Sequence, residues 1–236
     1  MKLTWFGHSA YRLEFGSSVV MIDPFLTGNP VFDGDPAKVS EGATHVLLTH
    51  GHADHVGDTL AIAQRTGAKV VANYEICMWL AKQGLTAFDP MNSGGTTDQG
   101  DFSVTLTIAF HSSAVMDDNG ITHDLGLPHG LVITPKDAKE PTVYHMGDTE
   151  IFSDMALIDE LHTPSVAIVP VGDRFTMDGR RGALAVRRFL PSVKTAIPCH
   201  WGTFGLLVPT PEAFVKGMDG ASAKVLVPEK GVPFTL

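Results

Sequence analysis

The stretch His50-Gly51-His52-Ala53-Asp54-His55 places three imidazoles and one carboxylate within six residues, directly after the apolar run Val46-Leu47-Leu48. Imidazole nitrogen and carboxylate oxygen are the donor set of Zn²⁺ and its first-row neighbours. With Val46–Leu48 as a strand and Val56 onward as a helix, the cluster lies on the turn between them. His50 and His52 can then converge on one ion, and Asp54 and His55, near the helix start, can point at a second. A polar loop that merely happens to carry histidines rarely spaces four ligand-type residues this way.

Further ligand-type residues lie downstream, each after an apolar run. His111 follows Phe102–Phe110, which alternates as a strand does. Asp148 sits in the turn Gly147-Asp148-Thr149, after Tyr144-His145-Met146. His200 lies in Ala196-Ile197-Pro198-Cys199-His200-Trp201-Gly202-Thr203-Phe204. In this order, and over essentially the whole chain, these motifs resemble the signature of the metallo-beta-lactamase superfamily of metal-dependent hydrolases. Trp5-Phe6-Gly7-His8-Ser9, Asp23-Pro24, Phe175-Thr176-Met177 and the His-Trp-Gly-Thr-Phe stretch narrow the resemblance. They look like a small single-domain branch related to ascorbate-phosphate lactonase, and less like true beta-lactamases.

The resemblance implies an α/β fold, a four-layer αββα sandwich of two mixed sheets flanked by helices, with metals at the sheet edge and residues 1–236 forming one domain. It implies two divalent ions, Zn²⁺ first, with Mn, Ni or Fe as alternatives. By carry-over, His50, His52 and His111 bind one ion, Asp54, His55 and His200 bind the other, and Asp148 bridges them. Two such ions about 4 Å apart hold a hydroxide, because each lowers the pKa of bound water towards ~7. The implied reaction is attack of that hydroxide on a small ester, lactone or phosphodiester, with Asp54, Asp148 and His8 as the catalytic group. His8 recurs in this branch and reads as a pocket residue or one that orients a ligand; a structural histidine at a strand end is the other reading. Asp23 either accepts from a metal-binding imidazole or caps the turn at Pro24. His145 reads as support for a ligand, Arg174 and Thr176 as contacts for an anionic substrate, and His45 and His162 as structural.

The formal charge is −9, from 26 acidic and 17 basic residues, which argues against a broad nucleic-acid or anionic-membrane surface. Arg180-Arg181 and Arg187-Arg188 are the dense basic pairs and read as a solvated helix face. With 44% hydrophobic residues the chain can bury a sizeable core. Two cysteines, Cys77 and Cys199, set no disulfide framework and fit a reducing compartment. Cys199 reads as a buried thiol beside the site. The N-terminus lacks a signal-peptide core, and no run approaches membrane-spanning length, so the expected location is the cytoplasm. A homo-oligomer is compatible with the sequence, which does not set an oligomeric state.

Strands are expected at Leu3–Phe6, Tyr11–Phe15, Val19–Ile22, Lys69–Ala72, Leu131–Thr134, Thr142–His145, Val166–Val171, Thr195–Ile197 and Lys224–Val227. Helices are expected at Val56–Arg65, Tyr74–Gln83, Asp154–Leu161, Gly182–Phe189 and Pro211–Met218. Thr27–Gly42 and Ser112–Pro128 read as loops, and Asn92–Thr96 as a tight hairpin connection in preference to an anion cradle. The partner implied is a small-molecule substrate. A nuclease is the rival hydrolytic reading, weakened by the acidic and uninterrupted chain. An oxidoreductase lacks a flavin-binding extension here, and a catalytically silent metal-binding protein is the non-enzymatic alternative. No serine lies in the glycine-flanked elbow of a serine hydrolase.

Overall fold

The computed structural model describes residues 1–117 and 119–236. The chain opens with strands β1 (Lys2–Trp5), β2 (Tyr11–Phe15) and β3 (Ser18–Ile22). Helix α1 (Pro36–Val39), strand β4 (His45–Leu47), helices α2 (Ala53–Val56) and α3 (Thr59–Thr66), strand β5 (Lys69–Asn73), helix α4 (Tyr74–Ala81) and strand β6 (Phe88–Met91) follow. The second half holds β7 (Thr96–Asp98), β8 (Phe102–Ile108), β9 (Ala114–Met116), β10 (Thr122–Asp124), β11 (His129–Pro135) and β12 (Val143–His145). It ends with α5 (Met155–His162), β13 (Val166–Pro170), α6 (Gly179–Phe189), β14 (Thr195–Cys199), α7 (Glu212–Gly217), β15 (Lys224–Val225) and β16 (Phe234–Thr235).

Two seven-stranded sheets result, ordered β16-β1-β2-β3-β4-β5-β6 and β15-β14-β13-β12-β11-β8-β7. Each is mixed. β1, β2 and β3 pair antiparallel and β3 to β6 parallel. β8, β11 and β12 pair antiparallel and β12 to β15 parallel. Alternation along the strands builds the layers. Leu3, Leu13, Val20, Ile22 and Leu47 point inward against Phe102, Leu106, Leu131, Ile168 and Ile197, forming the core between the sheets. Met21, Val46 and Val70 face outward onto Ile62, Ile76 and Leu80 of α3 and α4. Tyr144, Ala167 and Val169 face outward onto Met155, Val186 and Phe214 of α5, α6 and α7. The order is helix, sheet, sheet, helix, as expected. Central strands covered on both faces explain the nearly continuous apolar runs. Each fully buried Leu, Ile or Val contributes about 1.5–3 kcal/mol, and truncating Leu13 to Ala would cost about 2–5 kcal/mol.

Several expectations need correction. The helix expected over Val56–Arg65 is two helices, α2 and α3, broken at Gly57 with φ 41° and ψ −126°. A Cβ there would lie 2.4 Å from the Pro24 carbonyl oxygen, so only glycine lets the chain seat against that loop. The Asp58 carboxylate then accepts from the Leu26 and Thr27 amides at 2.9 and 2.8 Å. Asn92–Thr96 is not a hairpin connection but the crossing between sheets, since β6 and β7 belong to different ones. The irregular segment after Ser112 contains the antiparallel ribbon β9–β10. Its return packs Leu125 onto Gly51, where a Cβ would lie 2.7 Å from the leucine side chain. Helix α1 lies in the expected loop Thr27–Gly42, and β6 and β16 are additional strands.

β1, β3 and β4 run in one direction, as do β8, β12 and β14. The turns after their C-terminal ends carry His8, Asp23, the His50–His55 segment, His111, Asp148 and His200.

Candidate metal centre

Asp23 organises the first half of the site. Its buried carboxylate accepts from the Thr49 amide at 2.9 Å and the Thr49 hydroxyl at 2.6 Å, and faces His55 Nδ1 at 2.8 Å. With the Thr49 proton committed to Asp23, the Thr49 oxygen accepts from His50 Nδ1, 2.9 Å away. Both imidazoles therefore carry hydrogen on Nδ1 and aim Nε2 inward. His50 Nε2 faces His52 Nδ1 at 2.9 Å, and His52 Nε2 lies 3.2 Å from Ser112 Oγ. Of the two roles open to Asp23, the imidazole acceptor is the one the geometry displays.

The second half is braced internally and tied to the first through His200. The Phe110 amide donates to Thr149 Oγ1 at 3.0 Å, joining the approaches to His111 and Asp148. The His200 amide donates to the His8 carbonyl at 3.1 Å. His145 Nδ1 accepts from the Gly147 amide at 3.0 Å, so it supports the Asp148 turn through the backbone. Asp148 Oδ2 lies 2.9, 3.4 and 3.6 Å from Nε2 of His200, His55 and His111.

Three donor groups emerge. His50, His52 and His111 bring one nitrogen each within 4.8 Å of one another; so do the donors of His50, His55 and Asp148, and those of His8, Asp54, His55 and His200. The seven ligand candidates expected from the sequence thus meet at one place, and His8 joins them. His8 does not line the cavity. It is fully buried, with Nε2 2.9 Å from Asp54 Oδ2 and Nδ1 3.0 Å from Thr203 Oγ1, and so acts on Asp54.

Electrostatics fits a cation. Burial, then the nearby His55, pushes His50 below the usual imidazole range, keeping its lone pair free. Burial likewise lowers His52 and His111. Burial also disfavours charge on His55, but Asp148 and Asp23 outweigh it and hold that imidazole above its ordinary value. Burial would raise Asp148, yet His200 and His55 hold its carboxyl below the usual range. Burial and His200 lower His8 to about 4. Among the ligand candidates, three buried atoms, His55 Nε2, Asp148 Oδ1 and His200 Nδ1, have no hydrogen-bond partner. Leaving such atoms unpaired costs about 1–3 kcal/mol each, so orphaned atoms on residues whose donors cluster this closely fit bound cations. Nitrogen and carboxylate oxygen are also the right donors for first-row divalent ions.

The backbone here is strained. Of the six non-glycine residues with positive φ among the described residues, His8, Asp23 and His200 lie in the site, at 53°, 43° and 61°. Asp173 and Arg174 shape the loop that carries Phe175, and only Thr163, which caps α5, lies elsewhere. A cavity of about 300 Å³ opens over the donors, lined by His52, Asp54, His111, Asp148 and His200 together with Ser112, Phe175 and Phe204.

Residues 19–201 match the family model for the beta-lactamase superfamily domain. The chain belongs to that superfamily. It is 60% identical over 239 residues to a UPF0173 metal-dependent hydrolase of Methylobacterium nodulans, covering all of both chains. It is 56% identical over 232 residues to a UPF0173 metal-dependent hydrolase of Sinorhizobium medicae, covering 98% of each. Among solved structures, Igni18, described as a novel metallo hydrolase from Ignicoccus hospitalis, superposes with TM-score 0.86 at 35% identity, over 100% of this chain and 98% of that one.

Other expected residues have quieter roles. Arg174 is exposed and outside the cavity wall, and buried Thr176 donates to the Met177 carbonyl. His45 bonds Thr44, and both cysteines are free and buried. Arg181 pairs with Glu150 at 2.6 Å, and Arg187 donates to the carbonyls of Gly217 and Asp219. Thr49 and Thr203 escaped sequence reading, because lone threonines carry no motif and their partners are distant in the chain.

Proposed function

We propose that this chain is a binuclear metal-dependent hydrolase acting on a small ester, lactone or phosphodiester. The observation that carries the reading is the convergence of seven His and Asp donors, three of whose buried atoms are unpaired, beside one small cavity that five of them line. The names of the relatives support the same class. His50, His52 and His111 would hold one ion, Asp54, His55 and His200 the other, with Asp148 shared. Bound there, the ions would acidify water and polarise the substrate's electrophilic centre.

The chain's own residues do the rest. Asp23 fixes His55 directly and His50 through Thr49, so that both present Nε2 inward. His8, itself held by Thr203, holds Asp54 Oδ2 and makes Asp54 a rigid donor. It is a positioning residue, since it touches the carboxylate and not the cavity. Phe175 and Phe204 limit the access of bulk water, which strengthens electrostatics inside the cavity.

We place residues 1–236 as one catalytic unit in the cytoplasm. The buried free cysteines support a reducing compartment, and no helix among the described residues is long and apolar enough to cross a membrane. Elemental analysis and metal titration of the purified protein, with esters, lactones, phosphodiesters and RNA assayed in Zn²⁺, Mn²⁺ or Ni²⁺, test the reading. His50→Ala is the blank for contaminating enzymes. Two saturable sites and metal-dependent turnover of a small substrate are expected; one site, or cleavage of RNA alone, would overturn it.

A further inference from the structure

Removing the ligand candidates from the cavity wall leaves Ser112, Phe175 and Phe204. These are the groups a substrate meets besides the ions, and none is a cation. Arg181, on the helix that follows the Phe175 loop, is paired to Glu150 at 2.6 Å and lies 3.6 and 3.7 Å from Asp173 and Asp178. It is thus compensated by carboxylates. Arg174 is exposed and outside the wall.

Phe175 is 50% exposed, a large apolar surface held in water at the mouth of a polar site. It is held rigidly. The Asp173 amide donates to the Met177 carbonyl at 3.0 Å, the Thr176 amide to the Asp173 carbonyl at 2.9 Å, and the Met177 amide to the Thr149 carbonyl at 3.2 Å. Phe204 is fixed from behind by the rings of His8 and Phe25, at centroid distances of 5.3 and 6.1 Å. Two phenyl rings on one cavity wall, one on a pinned backbone and one packed against His8 and Phe25, are placed to cover a hydrocarbon group.

Ser112 supplies one polar contact. His52 Nδ1 faces His50 Nε2 at 2.9 Å and its Nε2 lies 3.2 Å from Ser112 Oγ; with the Nδ1 lone pair given to an ion, His52 would carry its hydrogen on Nε2 and donate to Ser112 Oγ. In that tautomer the serine's own hydrogen is left for a substrate oxygen.

We propose that the site takes a small uncharged ester or lactone, its hydrocarbon or aryl substituent against Phe175 and Phe204 and its oxygen accepting from Ser112, and that it discriminates against substrates carrying a phosphate or carboxylate. The proposal rests on the hydrolase reading above, and it departs from the phosphorylated lactone that the sequence resemblance suggests. Hydrolysis adds one water across the acyl C–O bond, which breaks to give acid and alcohol, and needs no further reactant.

The test uses matched pairs: a neutral aryl ester and the same ester with a ring carboxylate remote from the carbonyl, each also made as the unreactive amide. kcat/KM for the esters and calorimetric Kd for the amides are measured on the metal-loaded wild type, Phe175→Ala and Phe175→Arg. Phe175 is half exposed, so both variants should fold. The wild type should prefer the neutral member roughly tenfold, and Phe175→Ala should lose roughly tenfold on the neutral member. Phe175→Arg should narrow or reverse the preference. A wild-type preference for the anionic member, or no effect of Phe175→Ala on the neutral one, overturns the proposal. If neither ester is turned over, the hydrolase reading is decided separately by the wider panel of lactones and phosphodiesters. The amide affinities then still decide recognition: neutral tighter than anionic supports it, equal or reversed overturns it.

Discussion

Asp23→Ala is the sharpest perturbation of this site. The carboxylate is fully buried and serves three groups: the Thr49 amide at 2.9 Å, the Thr49 hydroxyl at 2.6 Å and His55 Nδ1 at 2.8 Å. Alanine leaves those donors facing a void that no other acceptor fills. An orphaned buried donor costs about 1–3 kcal/mol, more beside a charged group. Asp23 also sits at φ 43°, a left-handed conformation that aspartate tolerates better than alanine. Removal of the desolvated carboxylate offsets part of the loss, leaving a net cost of about 3–5 kcal/mol, typical of breaking a buried charged pair. For a chain of this length that corresponds to a Tm drop of about 6–20 °C. The assay is thermal unfolding of metal-free wild type and variant, followed by metal titration. Affinity should fall by about 10–100-fold, because His55 loses its orienting partner directly and His50 loses it through Thr49. Asp23→Asn should recover part of both effects, since the amide offers one acceptor but turns its N–H₂ towards a donor. A metal-free Tm within about 3 °C of wild type, a change near 1 kcal/mol, together with unchanged metal affinity, would refute the account of Asp23 as the hub.

Four further outcomes are expected. Asp148→Ala should weaken both metal positions and abolish hydrolysis while leaving the fold in place, as read by calorimetry, activity and circular dichroism; wild-type activity would remove Asp148 as the shared ligand. In the metal-free protein His55 is held above its ordinary value by Asp148 and Asp23 against the pull of burial, so its stabilisation is complete below the unfolded pKa of 6.5 and fades as pH rises through the higher folded value. Metal uptake near pH 7 should therefore release protons, visible as a buffer-dependent heat in calorimetry. Burial lowers His145 from 6.5 to about 4, so the native protein resists its protonation and stability should decline as pH falls through that window, less so in His145→Gln. Gly172→Ala would put a Cβ 2.0 Å from the His200 carbonyl oxygen and 2.8 Å from its Nδ1, and should lower both Tm and metal affinity.

What could be read from the chain divides by range. The His50–His55 segment is legible because its ligands are adjacent, and His111, Asp148 and His200 because each follows an apolar run in family order. The sandwich was legible through that resemblance, since the notion that strands pair across two sheets cannot come from alternation alone. β6 and β7 illustrate the point: they are close in the chain, yet one joins each sheet, so the turn between them looked like a hairpin. The break at Gly57 depends on the Pro24 carbonyl, more than thirty residues earlier, and helical periodicity runs straight through it. Thr203 gains its role only because folding brings it 3.0 Å from His8, 195 positions away. Polar residues whose partners are that distant leave no local pattern.

The placement of strain explains why the site sits where the two sheets meet. His8, Asp23 and His200 each occupy left-handed backbone, at about 1–3 kcal/mol apiece. Asp23 and His200 follow immediately on β3 and β14, and His8 lies three residues beyond β1, strands whose Leu3, Ile22 and Ile197 are completely inaccessible. Those strands cannot relax to relieve the turn, because doing so would pull apolar side chains out of a close-packed core. Hydrogen bonds then tie the two halves together: the His200 amide donates to the His8 carbonyl at 3.1 Å, Trp5 Nε1 closes the His8 turn on the same carbonyl at 3.0 Å, and the His129 amide donates to the Thr49 carbonyl, next to His50, at 2.9 Å. The sheets and these hydrogen bonds therefore hold the donors of the two halves in register. A metal-free protein should keep this arrangement, so the energy of metal binding goes into occupying a site already formed, and removing the ions should cost activity well before it costs the fold.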